Sequence, residues 1–242
     1  MRIFLNNNIN LNGEEYLIEN EEDKRHILLV MRKTAGEFLE VVDSKKEVYE
    51  AQITNIKPLT IKPIKELVSN EPSVQIDIFQ GIPKLNKMEY IIEKAVELGA
   101  KDVYAVQMER SVVKLQKKDI DKKIERWNKI AKSAAQQSKR NIISKIQYIN
   151  KIQNIDFSKY DLSLYLDTKS TEDKFKLNLL SDANIKTIAV VIGPEGGFSD
   201  DERKYLYEKI KLINLGPRIF RTETASTVIL SLLQYLIGDF DD

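Results

Sequence analysis

The 242-residue chain contains no cysteine and a single histidine, His26. Without cysteine, neither a disulfide nor a thiolate ligand or nucleophile can form. A zinc site would need several carboxylates beside one imidazole, and a Ser-His-Asp triad would depend on His26, which no neighbouring motif supports. The composition therefore predicts no disulfide and no metal site, and it disfavours a histidine-activated nucleophile.

Long apolar runs are also missing. The chain starts Met1-Arg2-Ile3-Phe4-Leu5 and turns polar at Asn6, so it lacks the apolar stretch of a secretory signal. Polar residues interrupt every later apolar run, whereas a membrane-spanning helix needs about 20 apolar residues. With 42% hydrophobic and 31% charged residues, the composition is that of a globular protein. We expect a soluble, cytoplasmic protein with no membrane partner.

Basic residues are concentrated in the middle of the chain, although the formal net charge is only +1. Residues 110–145 hold 12 lysines and arginines against three acidic residues. Apolar residues recur at steps of three and four over residues 120–134, which predicts an amphipathic helix with lysines on its other faces. Such a surplus can neutralise nucleic-acid phosphates, although a solvated helix face is the more common meaning of a charge run.

Two regions of different pattern follow one another. The first, residues 1–70, is rich in short strand patterns whose spacing is typical of a small β-barrel. These strands are predicted at residues 36–43, 48–53 and 59–64, with Pro63 restricting the last to an edge or an end. A linker over residues 67–72 then leads into a second domain, residues 73–242.

The second domain alternates strands with helices, a pattern that predicts a mostly parallel sheet covered by helices on both faces. Its clearest strand is the continuous apolar run 188–192, which is typical of a strand buried on both sides. A helix is predicted over residues 87–98 and ends at Gly99. Further strands are predicted at residues 74–79, 103–106, 162–166 and 212–214. We therefore expect an α/β fold class.

Directly after the 188–192 strand comes the glycine motif, residues 193–198, with the sequence Gly-Pro-Glu-Gly-Gly-Phe. The carboxyl ends of parallel strands are where ligands bind, and glycine lets the backbone approach a ligand closely. Residues 199–202 form a capping box that predicts a following helix. A tight strand-to-helix turn without a ligand is the alternative interpretation. No Gly-Lys-Ser/Thr follows, so this is not a Walker loop.

The arginine motif, residues 215–225, lies between a short strand and a helix predicted over residues 224–237. It places Arg218 and Arg221 beside Glu223, in a turn rather than on a helix face. A structural Arg–Glu pair at the helix start is the alternative, because a carboxylate there also suits the helix dipole. Two unusual loops at one edge of the same sheet favour a binding site.

At these two motifs the sequence resembles the RsmE family of ribosomal RNA uridine-N3 methyltransferases, which belongs to the SPOUT superfamily. The family carries Ile-Gly-Pro-Glu-Gly-Gly-Phe and Leu-Gly-x-Arg-Ile-Leu-Arg-Thr-Glu-Thr-Ala, matched here by residues 192–198 and 215–225, with Phe220 for a usual Leu. Residues 26–32, 94–99 and 134–140 also fit, so the similarity covers almost the whole chain. Gln136 and Ser144 depart from the family pattern.

The resemblance implies an N-terminal PUA-like barrel that assists RNA binding and a C-terminal SPOUT domain with a trefoil knot. It also implies a homodimer, S-adenosylmethionine as the cofactor, and N3 of a uridine in 16S ribosomal RNA as the acceptor, in naked RNA or in the assembled small subunit. The residues expected to bind the cofactor are Leu166, Asp167, Gly193, Pro194, Glu195, Gly196, Gly197, Leu215, Gly216, Arg218, Ile219, Thr222, Thr224 and Ala225. Those expected to contact RNA are Arg32, Arg110, Lys114, Arg126, Gln137 and Arg140.

Uridine N3 must lose its proton before it can accept a methyl group, and the resulting anion spreads over O2, N3 and O4. A cation near those oxygens would stabilise the anion, and we assign that role to Arg221. Glu223 is given a supporting or base role. Two rivals stay open: a non-catalytic RNA-binding factor with a SPOUT-like fold, which would not bind the cofactor, and a small-molecule enzyme that holds a phosphate in the glycine motif.

Overall fold

The computed structural model describes residues 1–168 and 184–240. The chain forms two compact units, residues 1–71 with 135–143, and residues 72–134 with 144–242. The continuous domains predicted from the sequence, 1–70 and 73–242, differ from this division in one segment. Residues 135–143 pack with the first unit, where Arg140 pairs with Glu71 at 2.6 Å and Arg2 donates to Asn141 at 2.5 Å.

The first unit is built on a five-stranded sheet in the order β1-β3-β4-β5-β2. Its strands are β1 (Arg2–Phe4), β2 (Tyr16–Leu17), β3 (Phe38–Val42), β4 (Val48–Ile56) and β5 (Leu59–Leu67), and its helix is α1 (Glu21–Arg25), continued by a π-helical turn over His26–Val30. The three strands predicted from the sequence are confirmed. Pro63 lies inside β5, but β2 pairs only with Thr60 and Ile61, so β5 has one neighbouring strand at the proline.

Alternating side chains of this sheet form the core of the first unit. Leu39 and Val41 of β3, and Ile53 of β4, are at most 5% exposed, as the period of two in a half-buried strand requires. Strand β1 pairs in parallel with β3, whereas β3, β4 and β5 form an antiparallel meander. The strands β1 and β2 have only three and two residues, too short for a detectable alternation in the sequence.

The second unit contains a parallel six-stranded sheet in the order β11-β9-β10-β6-β7-β8. The strands are β6 (Gln75–Gly81), β7 (Asp102–Val106), β8 (Ile146–Ile149), β9 (Leu162–Leu166), β10 (Thr187–Ile192) and β11 (Lys211–Ile213). Strand β10 pairs on both sides, and its residues 188–192 are all buried. The predictions of a mostly parallel sheet and of a strand buried on both sides at residues 188–192 are confirmed.

The helices of the second unit are α2 (Lys87–Glu97), α4 (Asp200–Lys209), α5 (Thr222–Leu236) and, up to residue 134, α3 (Lys117–Gln137). Helix α2 begins at the predicted residue and buries Met88, Ile91, Ile92 and Ala95, and Gly99 follows with φ +81°. The capping box of α4 is present, with Ser199 and Glu202 bonded reciprocally. Helix α5 begins two residues earlier than predicted, so Glu223 lies in its first turn and not in the preceding loop. The trefoil knot implied by the resemblance stays a prediction.

Candidate active site

Four strand ends lie at the same level of the parallel sheet. Ile192, the last residue of β10, pairs with Gln80 of β6 and with Leu166 at the end of β9, and Leu166 pairs with Ile213 at the end of β11. Each chain segment that leaves this edge therefore starts beside the others. The glycine motif leaves β10 here, and the arginine motif follows β11, as the sequence predicted for the carboxyl edge of a parallel sheet.

The two motifs line one cavity of about 510 Å³. This volume is in the range of small-molecule sites, roughly 300–1,000 Å³. Of the fourteen residues predicted to bind the cofactor, all but Gly216 and Thr224 line it. Gly216 shapes the turn instead, with φ +108° and its N–H donated to Asn214 Oδ1 at 2.8 Å. The cavity is also lined by residues that were not predicted to bind the cofactor or to be catalytic: Lys87, Thr168, Ile192, Phe198, Arg203, Ile213, Asn214 and Phe220.

Glycine is required at two positions of the glycine motif. Gly197 has φ +65°, a left-handed conformation that favours glycine, and its N–H donates to Pro194 O at 2.8 Å to close a turn. A Cβ on Gly196 would stand 2.9 Å from the backbone oxygen of Arg110. The motif is therefore a tight turn whose backbone is closely packed, and the basic segment that begins at Arg110 lies directly beside it.

A buried hydrogen-bond chain ties the two motifs together. Thr222 Oγ1, at the start of α5, donates to Gly193 O at 2.7 Å and accepts from Gln80 Nε2 at 2.8 Å. Gln80 is fully buried in β6, and Thr222 is 6% exposed. Two side chains therefore fix the position of the glycine motif: Thr222 of the arginine motif directly, and Gln80 of β6 through Thr222.

An ionic contact joins the same two motifs nearer the solvent. Lys87 Nζ lies 3.3 Å from Glu195 Oε1 and 3.2 Å from Glu223 Oε2, and these three residues are called the Lys87 bridge below. The contact with Glu223, aided by Glu195, raises the pKa of Lys87, although burial opposes this. Burial disfavours the charged form of Glu195, but hydrogen bonds from its own N–H, from the Lys84 N–H and from Lys87 lower the pKa of its carboxyl.

At the end of β9, Asp167 is held by an ion pair. Its Oδ2 lies 2.5 Å from Arg203 Nε, and the Asp167 side chain is only 8% exposed. Arg203 also reaches Asp200 at 3.2 Å, so α4 orients the pair. Asp167 therefore offers a fixed, negatively charged group to the cavity.

The two residues predicted to be catalytic take different positions. Arg221 lines the cavity, is exposed, and precedes the first residue of α5. Glu223 is not among the lining residues, and its carboxylate contacts Lys87 rather than an arginine. The sequence-based alternative of an Arg–Glu pair is thus replaced by a Lys–Glu pair, and of the two predicted catalytic residues only Arg221 lines the cavity.

Five of the six residues predicted to contact RNA are exposed, namely Arg32, Arg110, Lys114, Arg126 and Gln137. For Arg140 the structure corrects the predicted contact with RNA. Its side chain is buried, and its guanidinium is bonded to both oxygens of Glu71, at 3.3 and 2.6 Å. It stabilises the first unit and is not accessible to a phosphate. Arg126 is exposed but also pairs with Glu89 at 2.8 Å.

Comparison with known proteins gives the family. A model of the RNA methyltransferase domain matches residues 70–234, and a model of the RNA methyltransferase PUA domain matches residues 18–64. Ribosomal RNA small subunit methyltransferase E of Buchnera aphidicola (subspecies Acyrthosiphon pisum) is 33% identical over 99% of this chain and 94% of its own length. The Bacillus subtilis protein of that name is 35% identical over 88% of each chain. The chain belongs to the ribosomal RNA small subunit methyltransferase E family.

The fold agrees with this family. The structure of ribosomal RNA small subunit methyltransferase E from Neisseria gonorrhoeae bound to S-adenosylmethionine has a TM-score of 0.79 and 25% identity, and the match covers 97% of each chain. The predicted RsmE resemblance and the predicted pairing of a PUA-like domain with a parallel-sheet SPOUT domain are confirmed. Within residues 1–168 and 184–240, no cluster of His, Asp and Glu has the arrangement of a metal site. The helices of the same residues include none that could cross a membrane.

Proposed function

We propose that this protein transfers a methyl group from S-adenosylmethionine to N3 of a uridine in 16S ribosomal RNA, as naked RNA or within the small subunit. The observation that carries this proposal is the shared cavity of the glycine and arginine motifs at the carboxyl edge of the sheet. The family supports it, because the relatives are named ribosomal RNA small subunit methyltransferases and the Neisseria protein holds this cofactor.

The residues of the cavity fit S-adenosylmethionine. The volume suits a ligand of this size, the glycine motif brings backbone groups close to it, and Leu166 and Asp167 add an apolar and an acidic group. Asp167 is suited to the positively charged amino or sulfonium group of the cofactor, because Arg203 already fixes its carboxylate. When bound, the cofactor supplies an activated methyl group, so the protein has to align the acceptor and make it nucleophilic.

We assign the activation of the acceptor to Arg221, which lines the cavity and directly precedes α5. The N3 proton leaves to solvent or a base, the electron pair then forms the N3–CH₃ bond, and the S–CH₃ bond breaks with its electrons staying on sulfur. A guanidinium beside O2 or O4 stabilises the uracil anion before the methyl group moves, and the amino end of α5 adds the positive end of its dipole. Glu223 supports this arrangement through Lys87, which lines the cavity and lies 3.2 Å from the Glu223 carboxylate.

Exposed residues on each of the two units would hold the RNA. Arg110 contacts the glycine motif through its backbone, so a nucleotide in the cavity would have its neighbouring phosphates near the basic segment. Lys114 and Arg126 continue this segment, and Arg32 and Gln137 lie on the first unit. Replacing a phosphate-binding lysine or arginine should weaken RNA binding and reduce its salt dependence.

The homodimer and the cytoplasmic location belong to the same proposal. A second copy would cover the outer side of α5, where Val228, Leu232 and Leu236 are half-buried and Tyr235 is 60% exposed. Leu233 of the same helix is fully buried within its own unit. Light scattering of the purified protein would test the dimer. The cytoplasm is where bacterial ribosomal RNA is made and modified.

Calorimetry with S-adenosylmethionine, followed by methylation of small subunits from a strain that lacks the protein, tests the proposed reaction. Mass spectrometry of the RNA should show a methyl group on one uridine after the reaction and none before. For Arg221→Ala we expect turnover to fall by about 100-fold, as for the loss of one donor to a developing anion, with cofactor affinity kept. For Glu223→Gln we expect a smaller loss. If the protein neither binds the cofactor nor methylates RNA, the chain is a non-catalytic RNA-binding factor. Cofactor binding without methylation would instead contradict the proposed acceptor.

A further inference from the structure

Lys87 stands where helix electrostatics disfavour a lysine. It is the first residue of α2, and a cation at the amino end of a helix opposes the helix dipole. Its ammonium group is compensated instead by two carboxylates from distant parts of the chain, Glu195 in the glycine motif and Glu223 in the arginine motif. The placement of this charge is thus explained by the Lys87 bridge and not by the helix that carries it.

The loop before α2 is held against the same carboxylate. The backbone N–H of Lys84 donates to Glu195 Oε1 at 3.1 Å, and Lys87 Nζ lies 3.3 Å from that atom. Between these two contacts, Leu85 has φ +57° and is 86% exposed. A left-handed conformation is unfavourable for leucine, so it persists only where flanking contacts impose it. Glu195 therefore has two partners on one short loop.

The bridge spans the edge of the cofactor cavity. Lys87 and Glu195 both line the cavity, and Glu223 belongs to the first turn of α5, next to Thr222. The three side chains are 27%, 23% and 17% exposed, so the charges are partly shielded from water. A single ammonium group thus connects the glycine motif, the arginine motif and the start of α2.

We propose that Lys87 is a positioning residue that holds the glycine motif against the first turn of α5 and thereby forms the cofactor cavity before S-adenosylmethionine binds. The inference rests on the proposed function for the identity of the ligand. In physical terms the Lys87 bridge preorganises the cavity. Without the bridge, the cost of ordering the two motifs would reduce the free energy of cofactor binding. Lys87 acts through Glu195 and Glu223 and need not touch the reacting atoms.

The test compares three single variants by calorimetry with S-adenosylmethionine and by thermal unfolding without it. Lys87→Met removes the charge but keeps the aliphatic stem, whereas Lys87→Arg keeps the charge. Lys84→Met is the matched control, because Lys84 is exposed and contacts Glu195 through its backbone N–H, which the substitution retains. Since two part-exposed ion pairs are lost, we expect Lys87→Met to raise the Kd about tenfold, with Lys87→Arg within about threefold of the original protein. Lys84→Met should leave the Kd unchanged.

A double-mutant cycle separates positioning from a general loss of stability. If Lys87 acts through Glu195, the Lys87→Met, Glu195→Gln double variant should bind the cofactor no more weakly than Lys87→Met alone. The proposal would be overturned if the losses of binding free energy caused by Lys87→Met and by Glu195→Gln added fully in the double variant. An unchanged Kd in Lys87→Met, or weak binding by Lys87→Arg, would also overturn it. If the unaltered protein itself shows no binding at about 1 mM cofactor, the proposed function fails first. If the unaltered protein binds the cofactor and Lys87→Met binds it with the same Kd, only the role of Lys87 is refuted.

Discussion

Replacing Thr222 by valine tests the buried tie between the two motifs with almost no change of shape. The hydroxyl of Thr222 both donates to Gly193 O and accepts from Gln80 Nε2, so valine leaves two polar groups without this partner. Each buried polar group left unpaired costs about 1–3 kcal/mol. Gln80 is fully buried, but Gly193 is half-buried, so water can replace part of the loss at its oxygen.

We therefore expect Thr222→Val to lower the free energy of unfolding by about 2 kcal/mol. For a domain of this size, 1 kcal/mol corresponds to roughly 2–4 °C, so the unfolding midpoint should fall by about 4–8 °C. Cofactor affinity should fall as well, because the tie positions Gly193 at the cavity wall. Differential scanning calorimetry and titration calorimetry measure the two effects on the same sample.

Thr227→Val provides the matched control on the same helix. The Thr227 hydroxyl donates to Glu223 O, four residues earlier on α5, at 3.2 Å, a local contact that adds little to stability. Its loss should change the free energy of unfolding by no more than about 0.5 kcal/mol. If Thr222→Val and Thr227→Val have the same midpoint and the same cofactor affinity, the buried chain does not hold the motifs together, and the reasoning is refuted.

Two other substitutions test the packing of the glycine motif at the cavity and the Arg140–Glu71 pair in the first unit. Gly196→Ala should abolish tight cofactor binding in calorimetry, because its Cβ would stand 2.9 Å from the Arg110 backbone oxygen and the glycine motif would have to shift; unaltered binding would contradict this packing. Arg140→Met should lower the free energy of unfolding by about 3 kcal/mol, since it removes the buried guanidinium that pairs with the Glu71 carboxylate. A folded Arg140→Met protein of normal stability that had lost RNA affinity would instead restore the RNA-binding role predicted from the sequence.

The sequence predicted the elements whose signals are local. The run 188–192 identified a buried strand because five consecutive apolar residues suit a strand covered on both faces, and the capping box at Ser199 identified the start of α4. Gly99, with its positive φ, likewise marked the end of α2. The cavity followed from topology, because segments after adjacent parallel strands emerge at one edge.

Residues whose role depends on distant partners could not be predicted in this way. Gln80 is 142 residues from Thr222 in the sequence, and Lys84 is 111 residues from Glu195, so no periodicity or motif relates them. The same reason explains Arg140, which lies in a basic segment that resembles a phosphate-binding surface but pairs with a glutamate 69 residues away. Charge density in a sequence does not distinguish a cation that faces solvent from one that is already neutralised.

The two connections between the motifs are of different kinds, one made of neutral hydrogen bonds and one of ion pairs, so they should respond differently to salt. The Gln80–Thr222–Gly193 chain is neutral and buried, so dissolved ions do not screen it. The Lys87 bridge is ionic and part-exposed. Dissolved ions screen such exposed charges, with a Debye length of about 10 Å in 0.1 M salt, so added salt weakens these contacts. Added salt should therefore loosen the outer edge of the cavity while its inner wall stays in place. A salt-dependent part of cofactor affinity should accordingly disappear in Lys87→Met and persist in Thr222→Val, since only the first variant removes a charge.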